Sequence, residues 1–178
     1  MAENPILKRY LKQTSFVSEE DFRENFKLLI PKNFNFAYDV VDAWAEETPN
    51  KTALIWTNDE GEECRLSFCD LKKESDQAAS YLHTIGINRG DMVMLIEKRR
   101  LEWWITMLAL HKLGAVPIPA THMLTSHDIV YRCNAADIKM IVCAGEEVIT
   151  DHIIEAMPDC PTLEHVVSIG PGMPEGFK

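Results

Sequence analysis

Three histidines, His111, His122 and His127, are the side chains whose type and clustering first suggest chemistry, because imidazole is a common metal ligand. A helical metal pair needs histidines at i and i+4, and no pair in this chain has that spacing on one helix. No cysteine falls at ligand spacing. A serine nucleophile is equally unsupported, because no G-x-S-x-G motif occurs. The sequence therefore predicts neither a zinc site nor a serine hydrolase.

Phosphate-binding motifs are also absent from the sequence. The eight glycines are scattered, and they form neither G-x-x-x-x-G-K-[ST] nor G-x-G-x-x-G. No loop rich in Ser, Thr and Gly ends in a lysine. These 178 residues therefore predict no cradle for ATP.

The elements that would position any functional side chain alternate regularly from Met92 onward. Short apolar runs are typical of buried strands, and helices between them require right-handed parallel crossovers. In chain order we predict the strand MVMLI, the helix LEWWITMLALHKL closed by Gly114, the strand VPIP, a helix from Thr125, the strand KMIVCA, the helix EEVITDHIIEAM and the strand HVVSI. The pattern predicts an α/β fold with a doubly wound, mostly parallel sheet.

The residues before Met92 predict helices and one β-hairpin. Ser18 is expected to cap a helix with Asp21 at its third position, and Pro31 is expected to end that helix. The segment FAYDVVDAWAEETP predicts a second amphipathic helix. The runs TALIWT and ECRLSF flank the turn residues NDEG and predict the hairpin. A helix capped by Ser67 and ended by Gly86 is expected to follow.

These elements predict three regions along the chain. They are an N-terminal helical appendage over 1–36, an α/β subdomain over 37–170 and the start of a linker over 171–178. The last of them has the Gly- and Pro-rich composition of a linker.

Two features have structural interpretations. Thr125 and Asp128 predict a helix N-cap with a carboxylate at the third position. Trp103 and Trp104 lie on a helix that is apolar around its circumference, which predicts packing of both rings in the core.

Composition narrows the class of protein. Of the 178 residues 46% are hydrophobic, enough for a substantial core, and the net charge of −10 argues against binding to nucleic acid or to an anionic membrane. The N-terminus shows neither a signal peptide nor a spanning helix. The five cysteines are odd in number and form no CxxC pair, which is typical of reduced thiols. We therefore predict a cytoplasmic protein.

Several blocks of the sequence together resemble the AMP-forming acyl-CoA synthetases, in particular the branch that includes the medium-chain and acetyl-CoA enzymes. The blocks are NFNFAYDVVDAWAEETPNKTALIW, LSFCDLKKESDQAASYL, HKLGAVPIPAT and the stretch from Gly90 to Arg132. The resemblance runs from about Asn33 to about Ile169. It implies that the chain is the first subdomain of the N-terminal domain of an adenylate-forming enzyme.

The resemblance also implies a reaction. Members of the family join a carboxylic acid to ATP in the presence of Mg²⁺, release pyrophosphate and pass the acyl group from the adenylate to CoA. Their ATP-binding loop and mobile C-terminal domain would lie beyond Lys178. This chain alone is therefore expected to be inactive, to bind ATP, Mg²⁺ and CoA at most weakly, and to have no catalytic or metal-binding residue of its own.

The family resemblance assigns one candidate site. In relatives, the loop before the Thr125 cap lines the route taken by the CoA thiol and the acyl group, and Thr121, His122 and Met123 stand in that loop here. Met123 occupies a position where some medium-chain members carry glutamine. The partners implied are a small carboxylic acid and CoA, and a layer separated from its neighbours is expected to expose an apolar face through which it could self-associate.

Two other hypotheses remain at this point. One is a stand-alone, non-catalytic module for interaction or oligomerisation. The other is an unrelated flavodoxin-like receiver or nucleotide-binding domain, which would need acidic residues clustered at strand ends, where only Glu97 obviously stands.

Overall fold

The structure is a computed structural model that describes residues 6–170 and 176–178. The chain divides into two compact units, Met1–Lys72 and Lys73–Lys178. The boundaries predicted after residues 36 and 170 stay predictions, and most of the linker predicted over 171–178 lies outside the described residues.

The first unit contains short helices and a hairpin. Its elements are α1 (Leu7–Tyr10), α2 (Glu19–Asn25), a π-helix (Ala37–Asp42), α3 (Ala43–Glu47), β1 (Thr52–Thr57) and β2 (Glu63–Ser67). The two strands pair antiparallel, which confirms the predicted hairpin. The Trp44 and Phe68 rings stack at 5.6 Å, and the Lys51 ammonium lies 4.0 Å from the Trp44 ring centre.

Helix α2 begins as predicted and ends early. Ser18 Oγ accepts a hydrogen bond of 3.1 Å from Asp21 N, but the helix stops at Asn25. Beyond it the backbone is extended: Leu28 forms an antiparallel bridge with Leu11, and Leu29 N donates to Tyr10 O at 2.8 Å. The prediction that this helix runs to Pro31 was wrong, because pairing between distant backbone segments replaced the local helical hydrogen bonds.

The second unit is built on a four-stranded parallel sheet with the order β4-β3-β5-β6. Its elements, with the helix that leads into it, are α4 (Phe68–Thr84), β3 (Met92–Ile96), α5 (Leu101–Leu113), β4 (Val116–Pro119), α6 (Ser126–Ala136), β5 (Ile138–Ala144), α7 (Glu147–Ala156), a short 3₁₀ turn (Met157–Asp159) and β6 (His165–Ile169). Gly86 and Gly114 follow α4 and α5 with φ of +103° and +71°, a conformation that ends a helix easily only in glycine.

Alternation along the strands creates two cores, one on each side of the sheet. On the side we call the front face, Val93 and Leu95 pack with α4 and α5 through Leu82 and Leu110. On the opposite side, the back face, α6 and α7 pack through residues such as Ile129, Ile149 and Ile153 against Met94, Ile96 and Cys143. Helices on both faces of a parallel sheet confirm the predicted doubly wound α/β fold.

The two tryptophans of α5 differ in environment. Trp103 is partly buried against the front-face core, whereas Trp104 is 48% exposed, and the rings meet edge to face at 4.7 Å. The prediction of core packing was wrong for Trp104, because only one side of α5 is covered by the sheet.

A buried lysine links α4 and α5. The Lys112 side chain is 1% exposed, and its Nζ lies 2.6 Å from Oδ1 of Asp76, whose side chain is 44% exposed. Burial of an ammonium group is costly without a carboxylate beside it.

Asp76→Ala should therefore lower the free energy of unfolding by about 2 kcal/mol, between the values for a buried and a surface pair. Urea unfolding followed by circular dichroism measures the change. The control Asp151→Ala removes an exposed carboxylate from α7 and should change stability by less than about 0.5 kcal/mol. Equal effects of the two substitutions would contradict a stabilising role for Asp76.

Candidate functional site

The carboxyl edge of a parallel sheet is where α/β folds of this kind commonly hold a ligand. The connection after β3 leads to α5 on the front face, while those after β4 and β5 lead to α6 and α7 on the back face. Connections that leave neighbouring strands in opposite directions open a crevice at the strand ends. All residues predicted for the site belong to one of these connections.

The β4–α6 loop, residues 120–125, is fixed at both ends. At its start, Ala120 N donates to Leu95 O at 2.9 Å. At its end, Thr125 N donates to Asp128 Oδ2 at 3.0 Å and Asp128 N donates to Thr125 Oγ1 at 3.4 Å, which confirms the predicted cap. The loop is therefore held by the sheet on one side and by a capped helix on the other.

Thr121, His122 and Met123 lie together at the exposed tip of this loop. The Met123 side chain is 74% exposed, and Met123 N donates to Thr121 Oγ1 at 3.3 Å. The next residue, Leu124, turns into the core, and its carbonyl accepts a hydrogen bond of 2.9 Å from Nδ1 of His152 on α7. The tip presents a hydroxyl, an imidazole and a thioether, which can contact a ligand. Their role towards CoA stays a prediction.

The connections after β3 and β5 are joined by an ion pair. Lys98 Nζ lies 2.5 Å from Glu146 Oε2. Lys98 has φ of +50°, a left-handed conformation that a lysine adopts at some cost. The pair therefore crosses the crevice between the two central strands.

Glu97, directly after β3, is buried without a matched partner. It is 0% exposed, and neither carboxylate oxygen meets a described donor at hydrogen-bonding distance and angle. Burial raises the pKa of Glu97 to about 8, the charge of Glu102 adds to the rise, and Arg100 and the Thr106 hydroxyl oppose it. Near neutral pH the carboxyl is therefore mostly protonated.

Arg100 occupies the same end of the sheet. Its Nε lies 3.5 Å from Glu102 Oε2, and its guanidinium group packs against Gly170, where an added Cβ would be 3.2 Å from Nη2. A side chain at Gly170 would require this guanidinium group to shift by a few tenths of an ångström.

The thiols are poor candidates for chemistry. Burial raises the pKa of both Cys133 and Cys143 to about 12 and also raises that of Cys160. All five cysteines are free. The three buried ones act as small core side chains.

Metal binding finds no support in the described part of the chain, where no three His, Cys, Asp or Glu side chains are grouped to hold an ion. None of the helices within residues 6–170 and 176–178 is long and apolar enough to span a membrane.

Sequence reasoning missed the environments of Glu97 and His152. The alternation of side chains along β3 could have predicted the burial of Glu97, because residues 93, 95 and 97 share one face of the sheet. No local signal pointed to His152, since its contact with Leu124 joins residues 28 positions apart.

The raised pKa of Glu97 predicts a pH-dependent stability. Between about pH 4.5 and 8 the folded state holds a proton that the unfolded chain releases, so the free energy of unfolding falls as pH rises. Glu97→Gln removes the titrating group and with it this decrease in the free energy of unfolding. The free energy of unfolding of Glu97→Gln relative to the parent chain should therefore increase with pH, by at most about 1.4 kcal/mol per pH unit in that window.

Urea unfolding of both proteins from pH 5 to 8 measures the difference. Glu155→Gln, an exposed carboxylate on α7, serves as the control and should run parallel to the parent chain. A difference between Glu97→Gln and parent that does not change with pH would contradict the buried protonated carboxyl.

Comparisons with known proteins agree on one family. The family model described as "AMP-binding enzyme" matches residues 41–175. The mitochondrial acyl-coenzyme A synthetase ACSM4 of Mus musculus is 40% identical over 154 residues, which are 83% of this chain and 26% of the mouse protein. The mitochondrial acyl-coenzyme A synthetase ACSM3 of Pongo abelii is 34% identical over 169 residues, covering 92% of this chain and 28% of that protein.

Solved structures show the same fold. The anthranilate CoA ligase AuaEII, in complex with anthranoyl-AMP, matches with a TM-score of 0.73 and 26% identity over 83% of this chain and 27% of its own. The acetoacetyl-CoA synthetase from Streptomyces lividans matches with a TM-score of 0.72 and 20% identity over 81% of this chain and 24% of its own. The chain spans about a quarter of the length of these relatives. On the family model and the sequence identities together, this chain belongs to the AMP-binding enzyme family.

Proposed function

We propose that this chain is the N-terminal part of an AMP-forming acyl-CoA synthetase. The whole protein would convert a carboxylic acid, ATP and CoA into acyl-CoA, AMP and pyrophosphate through an acyl-adenylate. The observation that carries the proposal is the family match over residues 41–175, supported by 40% identity to a protein named as an acyl-coenzyme A synthetase.

Within that protein, the second unit would form one wall of the channel for the acyl group and the CoA thiol. The support is geometric: Thr121, His122 and Met123 project from a loop that is held at one end by the carboxyl edge of the sheet and at the other by the capped start of α6. Because the loop holds no buried acid, base or thiol, its residues would contact and orient substrate and would not react with it.

ATP, Mg²⁺ and CoA would be substrates and cofactor of the whole protein, and this chain alone would bind them weakly and turn nothing over. Isothermal titration of the purified chain with ATP and Mg²⁺, and separately with CoA, tests this beside an acyl-CoA assay with acetate through octanoate. No detectable binding in either titration and no acyl-CoA formation in the assay would support the proposal that this chain alone is inactive. Turnover, or nucleotide binding of micromolar strength, would contradict it.

Met123→Trp in the longer protein tests the role of the loop. A bulky ring at the tip should narrow the thiol route, so the transfer of the acyl group to CoA should slow roughly tenfold, a barrier increase of about 1.4 kcal/mol. Exchange of pyrophosphate into ATP, which reports the adenylation step alone, should change little.

The matched control is Val148→Trp, because Val148 is 68% exposed on α7, outside the loop. It should leave both half-reactions unchanged. An equal loss in both half-reactions for Met123→Trp would mean that the loop does not act on the thiol step.

A second candidate function is a non-catalytic interaction module, and the first unit favours it. Large apolar side chains are exposed there, among them Val17, Leu28, Leu29, Ile30 and Phe36. Such a surface is typical of a contact with another protein or another copy. Sedimentation of the chain distinguishes the two: a defined dimer supports the module, and a monomer supports an inert part of a ligase.

The cellular location belongs to the proposal as well. Free cysteines suit a reducing compartment such as the cytoplasm. The named relatives of Mus musculus and Pongo abelii are mitochondrial proteins.

A further inference from the structure

A groove of about 310 Å³ lies on the front face, apart from the β4–α6 loop. Its floor is formed by strand residues and its walls by α4 and α5. The apolar and aromatic lining consists chiefly of Tyr81, Leu82, Ile105, Val142, Val167 and Ile169. This volume is at the lower end of the range for small-molecule sites.

The strand order explains why the groove is open. Helices α4 and α5 pack over β3 and β5, and β6 lies at the far edge of the sheet order. The front-face side chains of β6, Val167 and Ile169, are therefore only partly buried. An apolar ligand placed over Val167 and Ile169 would bury the parts of these side chains that α4 and α5 leave exposed.

The charged side chains that line the groove are acidic. Among the described residues that line it, Glu74 and Glu102 are carboxylates, and none is a lysine or an arginine. Arg100, which is not among the lining residues, lies 3.5 Å from Glu102, and an entering cation must compete with that contact. The lining charges therefore favour a cation over an anion.

A third carboxyl group, that of Glu97, lies behind the groove-lining residues Glu102 and Thr106. Glu97 shares the front face with Val93 and Leu95, and the β3–β5 and β5–β6 registers place it in the row of Ala144 and Ile169. Glu102 and Thr106, which line the groove, and Arg100, which does not, all act on the pKa of its carboxyl. Glu97 is fully buried, and neither of its oxygens meets a described hydrogen-bond donor. A donor placed in the groove at Thr106 would lie where it could offer a hydrogen bond to this carboxyl.

We propose that the front-face groove binds a small apolar molecule with one ammonium group, its alkyl body on Val167 and Ile169 and its ammonium beside Glu102 and Thr106, in front of Glu97. The occupant is a small molecule because a groove of about 310 Å³ has room for no more than that. This site is separate from the proposed synthetase chemistry, since its walls are α4 and α5 and the β4–α6 loop leads to the other face.

The test uses the whole 178-residue chain, labelled with ¹⁵N, and three probes of equal chain length: n-hexylammonium, n-hexanol and hexanoate. We expect saturable amide shifts confined to the groove, at residues such as Gln77, Thr106 and Val167. Hexylammonium should bind about threefold to fivefold more tightly than hexanol, the gain from partly exposed ion pairs. Hexanoate should bind most weakly.

Substitutions test which side chains supply the negative charge and the free volume of the groove. Glu102→Gln should reduce hexylammonium affinity by about threefold and leave hexanol affinity unchanged. Glu155→Gln, which removes an equal charge from α7, should change neither. Val167→Trp should fill the groove and abolish binding of both probes. The amide spectrum of each variant reports whether it is folded. If a variant is unfolded, the comparison of the three probes on the parent chain still tests the proposal.

Three results would overturn the proposal. Equal affinity for hexylammonium and hexanol would mean that the carboxylates play no part. Shifts spread over the surface would mean nonspecific contact. A sedimentation dimer whose groove amides are protected from exchange would mean that a second copy of the chain, and not a small cation, covers this face.

Discussion

The pairing of β3 with strands on both of its sides is the constraint on which the rest of the second unit depends. Residues 93–96 are fully buried, so their backbone groups have no access to water and must be satisfied by β4 and β5. That requirement fixes the register, with Val93 opposite Met140 and Ile96 opposite Cys143. A slip of one residue would exchange the two faces and place the side chains of both cores on the wrong side.

The same register determines where the functional groups stand. It sets α5 on the front face and α6 and α7 on the back face, so the connections diverge at the carboxyl edge. The β4–α6 loop with Thr121, His122 and Met123 belongs to that edge, and so does the ion pair of Lys98 with Glu146. The carboxyl edge is where parallel α/β sheets commonly hold their ligands.

Two buried ionisable groups, Lys112 and Glu97, have different electrostatic environments. Lys112 keeps its ammonium beside the carboxylate of Asp76, so its burial on α5 is compensated. Glu97 has no such partner, and burial shifts its pKa until the group is mostly neutral at physiological pH. The compensated pair joins two helices, whereas the uncompensated carboxyl lies behind the wall of an open groove. Ionisable groups with strongly shifted pKa values are enriched at binding and catalytic sites.

The sequence by itself determined the order and type of the main elements, the caps at Ser18, Ser67 and Thr125, the doubly wound sheet and the family, because these depend on periodicity and on side chains a few residues apart. Only the tertiary structure decided the early end of α2, the half-exposed ring of Trp104, the hydrogen bond from His152 to Leu124 and the groove in front of Glu97. Each of these results from surfaces or backbone segments that are distant in the chain, and local sequence patterns do not specify which distant groups meet.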